Sequence, residues 1–243
     1  MTISPSLRSD LAPTGMLRAG INYANPVLAK RDPASGELRG VAVDLARELG
    51  DRTGLPVELV GYDAAGKMVE GLKAGAWDIA FLAIDPGREG QISFTPPYIE
   101  IEGTYLVPSG SPLRAVADVD REGVRIALAG GAAYDLFLSR NLKYARTIRT
   151  PTPTEAFELL VQGKAEALAG VKQTLITNAG KLPGSRVLDG RFMAIGQAVG
   201  IPKGREEGLK YLSEFIEDVK ASGFVVRAIA NAGVRGVSIA PKA

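Results

Sequence analysis

Apolar positions recur along the chain in two alternating rhythms: short unbroken runs and stripes at helical spacing. Leu17–Asn22 reads as a strand, and a turn-rich stretch, Asp32-Pro-Ala-Ser-Gly36, follows it. Val41, Leu45 and Leu49 then fall at i, i+4 and i+8, one face of a helix. Residues 57–60 form the next strand, and residues 66–74 a short helix with Met68 and Leu72 inward. Residues 77–84 are almost continuously apolar, as a strand buried on both faces requires. The second half repeats the order, with strands at 124–129 and 145–149 around a helix at 132–142. Thr152-Pro-Thr-Glu155 then has the spacing of a capping box with proline at the first helical position, which predicts a helix start. Leu209, Leu212, Phe215, Ile216 and Val219 mark a last long helix over about 205–222. Such alternation implies an α/β protein whose sheets are mostly parallel.

One internal echo links the halves. Val69-Glu-Gly-Leu-Lys-Ala-Gly75-Ala-Trp-Asp78-Ile-Ala-Phe81 aligns without gaps to Phe157-Glu-Leu-Leu-Val-Gln-Gly163-Lys-Ala-Glu166-Ala-Leu-Ala169. In both, a helix ends on a glycine able to take positive φ, and an acidic residue and a buried strand follow. Any helix-turn-strand unit shares part of this pattern, so two readings stand: a generic unit, or two pseudo-equivalent lobes. In open α/β sheets ligands bind beyond the carboxyl ends of the strands, here about Ala83 in one lobe and Val171 in the other.

Length and composition narrow the chemistry. At 243 residues the chain exceeds a usual single domain, so two lobes are expected. The 29 basic residues are spread along the chain and the net charge is only +2, so nucleic acid is not an expected partner. No run reaches the roughly 20 apolar residues a membrane span needs, so no membrane insertion is expected. With no cysteine or histidine, thiolate nucleophiles, Ser-His-Asp triads and His-ligated zinc are excluded; no metal site, no cofactor and no catalytic residue are expected. The first ten residues lack the apolar core of a secretory signal, which leaves two compartments open: periplasm after signal removal, or cytoplasm.

The stretch from Trp77 to Tyr98 is the most informative. A buried strand runs out at Ile84, a turn follows at Asp85-Pro-Gly87, and Arg88 stands at the sheet's carboxyl edge. Guanidinium offers a planar fork matched to a carboxylate. An ordinary surface arginine would read the same way from sequence.

Five segments resemble the polar amino-acid-binding family, family 3, of the bacterial type 2 periplasmic solute-binding proteins of ABC importers. They are Leu17-Arg-Ala-Gly-Ile-Asn22, residues 36–49, residues 72–80, Arg88 with Phe94-Thr-Pro-Pro-Tyr98, and Gly163-Lys-Ala-Glu-Ala-Leu168. The resemblance covers about 17–232. It implies a two-lobed clamp, each lobe a mostly parallel sheet flanked by helices. Lobe 1 would be 1–106 plus 198–243 and lobe 2 107–197, with crossovers near 104–108 and 196–202.

By the same resemblance, Arg88 grips a ligand carboxylate, helped by backbone N–H groups at Ala83 and at Gly131, Ala132 and Ala133. A helix start with small residues suits an anion. Asn22 and Tyr23 would flank the ligand, with Lys67 a weaker neighbour. Val171 stands where the family has an acid for the α-ammonium, and apolar residues replace the usual hydroxyls at Ala83, Ala132 and Ala133. Either another acid compensates, with Asp85 and Asp135 the nearby candidates, or the ligand has no α-amino group. Lys172 would contact a second carboxylate or be solvated. The implied partners are a small carboxylate-bearing solute and an ABC permease, with the chain acting as a monomer. Two alternatives remain: a cytoplasmic sensor or scavenger of this fold, and an enzyme like the cyclohexadienyl dehydratases. Thr174 stands where those enzymes carry a glutamate, which argues against catalysis.

Overall fold

The computed structural model describes residues 3–243. The chain forms two compact units, the first running to residue 100 and resuming at 196–243, the second spanning 101–195. Both divisions fall inside a continuous strand, so no turn residue marks them.

The first unit begins with α1 (Pro5–Leu11), which the apolar rhythm alone did not disclose. Ser4 caps it by accepting from the Leu7 N–H at 3.1 Å, and Pro5 opens its first turn. Then come β1 (Leu17–Asn22), the short pair β2 (Lys30–Arg31) and β3 (Leu38–Arg39), α2 (Val41–Thr53), β4 (Val57–Tyr62) and α3 (Ala65–Lys73). β5 (Ile79–Ala83) and β6 (Ile92–Phe94) follow, and β7 (Ile99–Val107) leads into the second unit. There the order is β8 (Arg125–Ala129), α4 (Ala133–Asn141), β9 (Arg146–Thr150), α5 (Pro153–Val161), β10 (Ala167–Val171), α6 (Lys172–Ala179) and β11 (Arg186–Val187). β12 (Met193–Pro202) returns the chain to the first unit, which ends with α7 (Glu206–Ala221), α8 (Phe224–Asn231) and β13 (Ser238–Ile239).

In the first unit β1 runs parallel between β4 and β5, and β12 closes on β5 antiparallel. In the second, β8 runs parallel between β9 and β10, and β7 closes on β10 antiparallel. The units therefore repeat one plan, three parallel strands and one antiparallel strand. Val41, Leu45 and Leu49 are fully buried on α2, and Leu212, Phe215, Ile216 and Val219 on α7, so both stripes are core faces. Gly40, before α2, has φ +132°, and a Cβ there would lie 2.7 Å from the Leu28 carbonyl oxygen. Only glycine fits that junction.

Two sequence expectations change in detail. The apolar run at 77–84 yields a strand only over Ile79–Ala83. The Trp77 indole donates to the Met68 carbonyl at 2.8 Å. At Thr152 the hydroxyl accepts from the Glu155 N–H at 3.3 Å, but the Glu155 carboxylate accepts the Thr152 hydroxyl proton at 2.8 Å, so it serves the cap's side chain.

The internal echo acquires a physical meaning. Asp78 accepts from the Arg18 N–H, Nε and Nη2 at 3.1, 3.0 and 2.8 Å, while Arg18 Nη1 reaches the Gly75 carbonyl. In the second unit Glu166 accepts from the Arg125 N–H, Nε and Nη2 at 2.7, 3.0 and 2.7 Å, while Arg125 Nη2 reaches the Gly163 carbonyl. Gly75 and Gly163 have φ of +61° and +68°. Each unit thus clasps the first strand of its parallel set to the helix-strand turn with an arginine fork. The two acids of the echo are structural, at the amino ends of β5 and β10.

Candidate functional site

The opposite, carboxyl ends of the parallel strands carry the candidate residues. In the first unit these ends are Asn22, Tyr62 and Ala83. Asn22 is buried, and its Oδ1 accepts from the Ala24 N–H at 3.1 Å, turning the chain after β1. The Tyr23 N–H donates to the Tyr62 carbonyl at 3.0 Å. Its ring lies against Gly61, where a Cβ would come within 3.2 Å, and the Arg31 guanidinium stands 5.5 Å from its centroid. The Tyr23 ring is therefore engaged within its own unit. Lys67, in the first turn of α3, bonds Asp63 just before that helix, at 2.9 Å.

Arg88 follows the turn that β5 enters. Asp85 Oδ1 accepts from the Gly87 N–H at 2.8 Å, and the Arg88 N–H donates to the Asp85 carbonyl at 2.9 Å, so the turn is tight. Arg88 is only 4% exposed, and its Nη1 donates to the Ala83 carbonyl at 2.7 Å. The last residue of β5 thus holds one arm of the fork. Burial pulls the guanidinium pKa down to about 10, and the negative charge of Asp85 opposes that shift; the group stays cationic at neutral pH. Downstream, Thr95 fastens the segment to β12: its N–H donates to Val199 O at 3.0 Å and its hydroxyl accepts from the Val199 N–H at 3.1 Å. Tyr98, fully buried, meets Phe81 edge to face at 6.2 Å. These contacts explain why Phe94-Thr-Pro-Pro-Tyr98 accompanies the arginine.

Sequence reasoning passed over Gln197. It is 3% exposed and stands directly opposite Ala83 in the register of β12 on β5. Its backbone carbonyl accepts from the Tyr98 N–H at 2.8 Å, and its side chain shares the sheet face of Ala83. No motif marks such a residue, since only strand pairing sets it beside the Arg88 anchor.

In the second unit the parallel strands end at Ala129, Thr150 and Val171. Gly130 donates its N–H to Thr150 O at 2.9 Å, and Gly131 turns the chain with φ +72°. Ala132 then caps α4 and Ala133 opens it, both buried. The Gly131 N–H donates to Asp135 Oδ2 at 2.9 Å, so that donor serves the helix itself. Asp135 also accepts from Arg149 Nε at 2.9 Å and lies 3.3 Å from the Ser139 hydroxyl. Its carboxylate is committed inside its own unit. Val171, 8% exposed, pairs with Gly103, and Lys172 Nζ bonds Glu102 Oε2 at 2.7 Å. Glu102 also faces Arg191 at 3.5 Å. Among the described residues no group of three or more acids is arranged to hold a metal ion, and no helix is long and apolar enough to cross a membrane.

Residues 17–230 match the bacterial extracellular solute-binding proteins, family 3. The chain belongs to this family. It is 31% identical over 131 residues to the virulence sensor protein BvgS of Bordetella bronchiseptica, a match covering 53% of this chain and 10% of that protein. The chain therefore spans only a small part of the length of that relative. With the ABC transporter arginine-binding protein 1 of Escherichia coli it shares 23% identity over 197 residues, 78% of this chain and 79% of the relative. Among solved structures, the ancestral amino acid-binding protein AncCDT-1, a precursor of cyclohexadienyl dehydratase, superposes with a TM-score of 0.76 at 23% identity. That match covers 92% of this chain and 97% of the other. The fold of this family member is that of the type 2 periplasmic binding proteins, and the family is mainly one of binding proteins.

Proposed function

We propose that this chain captures a small carboxylate-bearing solute, an amino acid or its deaminated analogue, through Arg88, and delivers it to an ABC importer outside the cytoplasmic membrane. The observation that carries the reading is the buried Arg88 guanidinium, one arm fixed on Ala83 O at the carboxyl end of β5. A fork held on a strand end is pre-organised for an anion, and charge-assisted bidentate bonds contribute about 1.5–3 kcal/mol. Ala83, Asn22 and Tyr23 of the first unit and Gly131, Ala132, Ala133, Val171 and Lys172 of the second are the further residues proposed to line the ligand. Capture proceeds by ligand-driven closure, the closed state being favoured by the contacts it adds. The importer role draws on the family and on the arginine-binding relative. Calorimetry of Arg88→Ala tests the reading: affinity for the solute should fall more than about tenfold, and unchanged affinity removes Arg88 from the site.

A second reading, ligand sensing, is favoured by the identity with the BvgS sensor. Uptake of labelled solute by cells with and without the gene separates the two. A dehydratase role lacks a carboxylate at Thr174, and the chain has no histidine or cysteine to act in its place. Incubation with prephenate or arogenate should give no turnover.

A further inference from the structure

Beside the strand end that anchors Arg88 lies a polar side chain for which the fold supplies no partner. Gln197 is 3% exposed, and its side-chain amide makes no hydrogen bond among the described residues. Both amide atoms keep a trace of solvent contact, whereas the Tyr98 hydroxyl, also without a partner, is sealed from it. Backbone pairing sets the place of this amide. The Ile84 N–H donates to Gly196 O at 3.0 Å, so Ala83 and Gln197, one step along, face each other without mutual backbone bonds. Their carbonyls turn outward instead: Ala83 O takes Arg88 Nη1 at 2.7 Å, and Gln197 O takes the Tyr98 N–H at 2.8 Å. Side chains opposed in this way stand about 4.5–5.5 Å apart at Cβ. The amide therefore emerges next to the residue that holds the guanidinium.

Its neighbours on that sheet face are the Ala83 methyl and, two residues further along each strand, Phe81 and Val199, both fully buried. None of these side chains can donate or accept. A buried amide left unpaired forfeits its hydration for nothing in return. It carries an acceptor and two donors but no charge, so an ion would use only half of it. A hydroxyl or a carboxamide uses both. We propose that Gln197 is a specificity-determining residue of the first unit, reading a hydroxyl or carboxamide on the same solute whose carboxylate Arg88 holds. The inference rests on the function proposed above and narrows its solute to carboxylates bearing such a neutral hydrogen-bonding group.

The test uses matched carboxylates that differ only in that group: lactate with propionate, malate with succinate, threonine with 2-aminobutyrate, and glutamine with norvaline. A thermal-shift screen of the intact protein finds the tightest pair, and calorimetry then measures both members. Wild type should favour the hydroxyl- or amide-bearing member by at least about tenfold, since a site built to hydrogen-bond a group rejects the analogue lacking it. Gln197→Met, close in volume, should cut that preference to below about threefold, with the plain member's affinity moving by less than about threefold. Its unfolding temperature should hold or rise, because the amide removed has no partner in the fold. Arg88→Ala should weaken both members alike. An unchanged preference in Gln197→Met, an equal loss for both members, a lowered unfolding temperature, or a wild type indifferent to the group would overturn the assignment and leave the carboxylate role of Arg88 standing. Binding of no carboxylate by wild type would overturn that underlying reading as well.

Discussion

The two arginine clasps make a controlled experiment, because they share a bond pattern and differ in burial. Asp78 is fully buried, and its partners Arg18 and Arg205 have side chains 22% and 25% exposed. Asp78→Ala removes the acceptor of the Arg18 N–H and the counter-charge of two guanidinium groups. Breaking a buried pair from one side costs about 3–5 kcal/mol. Water can reach both arginines, which places this case near the lower end, about 3 kcal/mol. With a urea m-value of about 1–3 kcal/mol per molar, the unfolding midpoint should fall by roughly 1–3 M.

The single tryptophan, Trp77, adjoins Asp78 and lies in the first unit, so its fluorescence follows that unit directly. Glu166→Ala breaks the equivalent clasp in the second unit, where the paired side chains are 46% and 39% exposed. Solvent already screens that pair and replaces its bonds, so the shift should be several times smaller. Equal shifts for the two variants, or a shift below about 0.5 M for Asp78→Ala, would refute the claim that burial sets the difference.

Other perturbations follow from backbone and charge. Gly40→Ala should destabilise by more than about 2 kcal/mol in chemical denaturation, because strained φ and overlap with Leu28 O combine. Gly54→Ala, with φ +68° but open space around it, should cost only about 1 kcal/mol. Asp120 is held below the usual carboxylate pKa: burial works against this, but the N–H donors of Ala145, Tyr144 and Lys143 outweigh it. A depressed folded pKa adds stability above the unfolded value, near 3.9, that is lost as pH falls through the folded one. Asp120→Asn should therefore flatten the decline in stability on acidification below about pH 5, measured by thermal denaturation, and an unchanged acid limb would contradict the assignment.

Part of the element order was legible in the chain because apolar period is a local property. Leu17–Asn22, the α2 stripe and the α7 stripe depend only on which side chains recur at which spacing, and so does the strand-helix alternation that implies parallel sheets. The Ser4-Pro5 start of α1 was a readable signal as well, although its helix is too short for periodicity to show. The place of Arg88, just past a buried run and a turn, also came from local order. What lay beyond local order were the bonds between residues far apart. Arg18 meets Asp78 across 60 positions and Lys172 meets Glu102 across 70. Likewise only β12 lying beside β5 sets Gln197 opposite Ala83. Whether a carboxylate is committed or serves a site depends on which cation the fold brings beside it. Residue type and spacing name the candidates for such a charge, and tertiary packing assigns their partners.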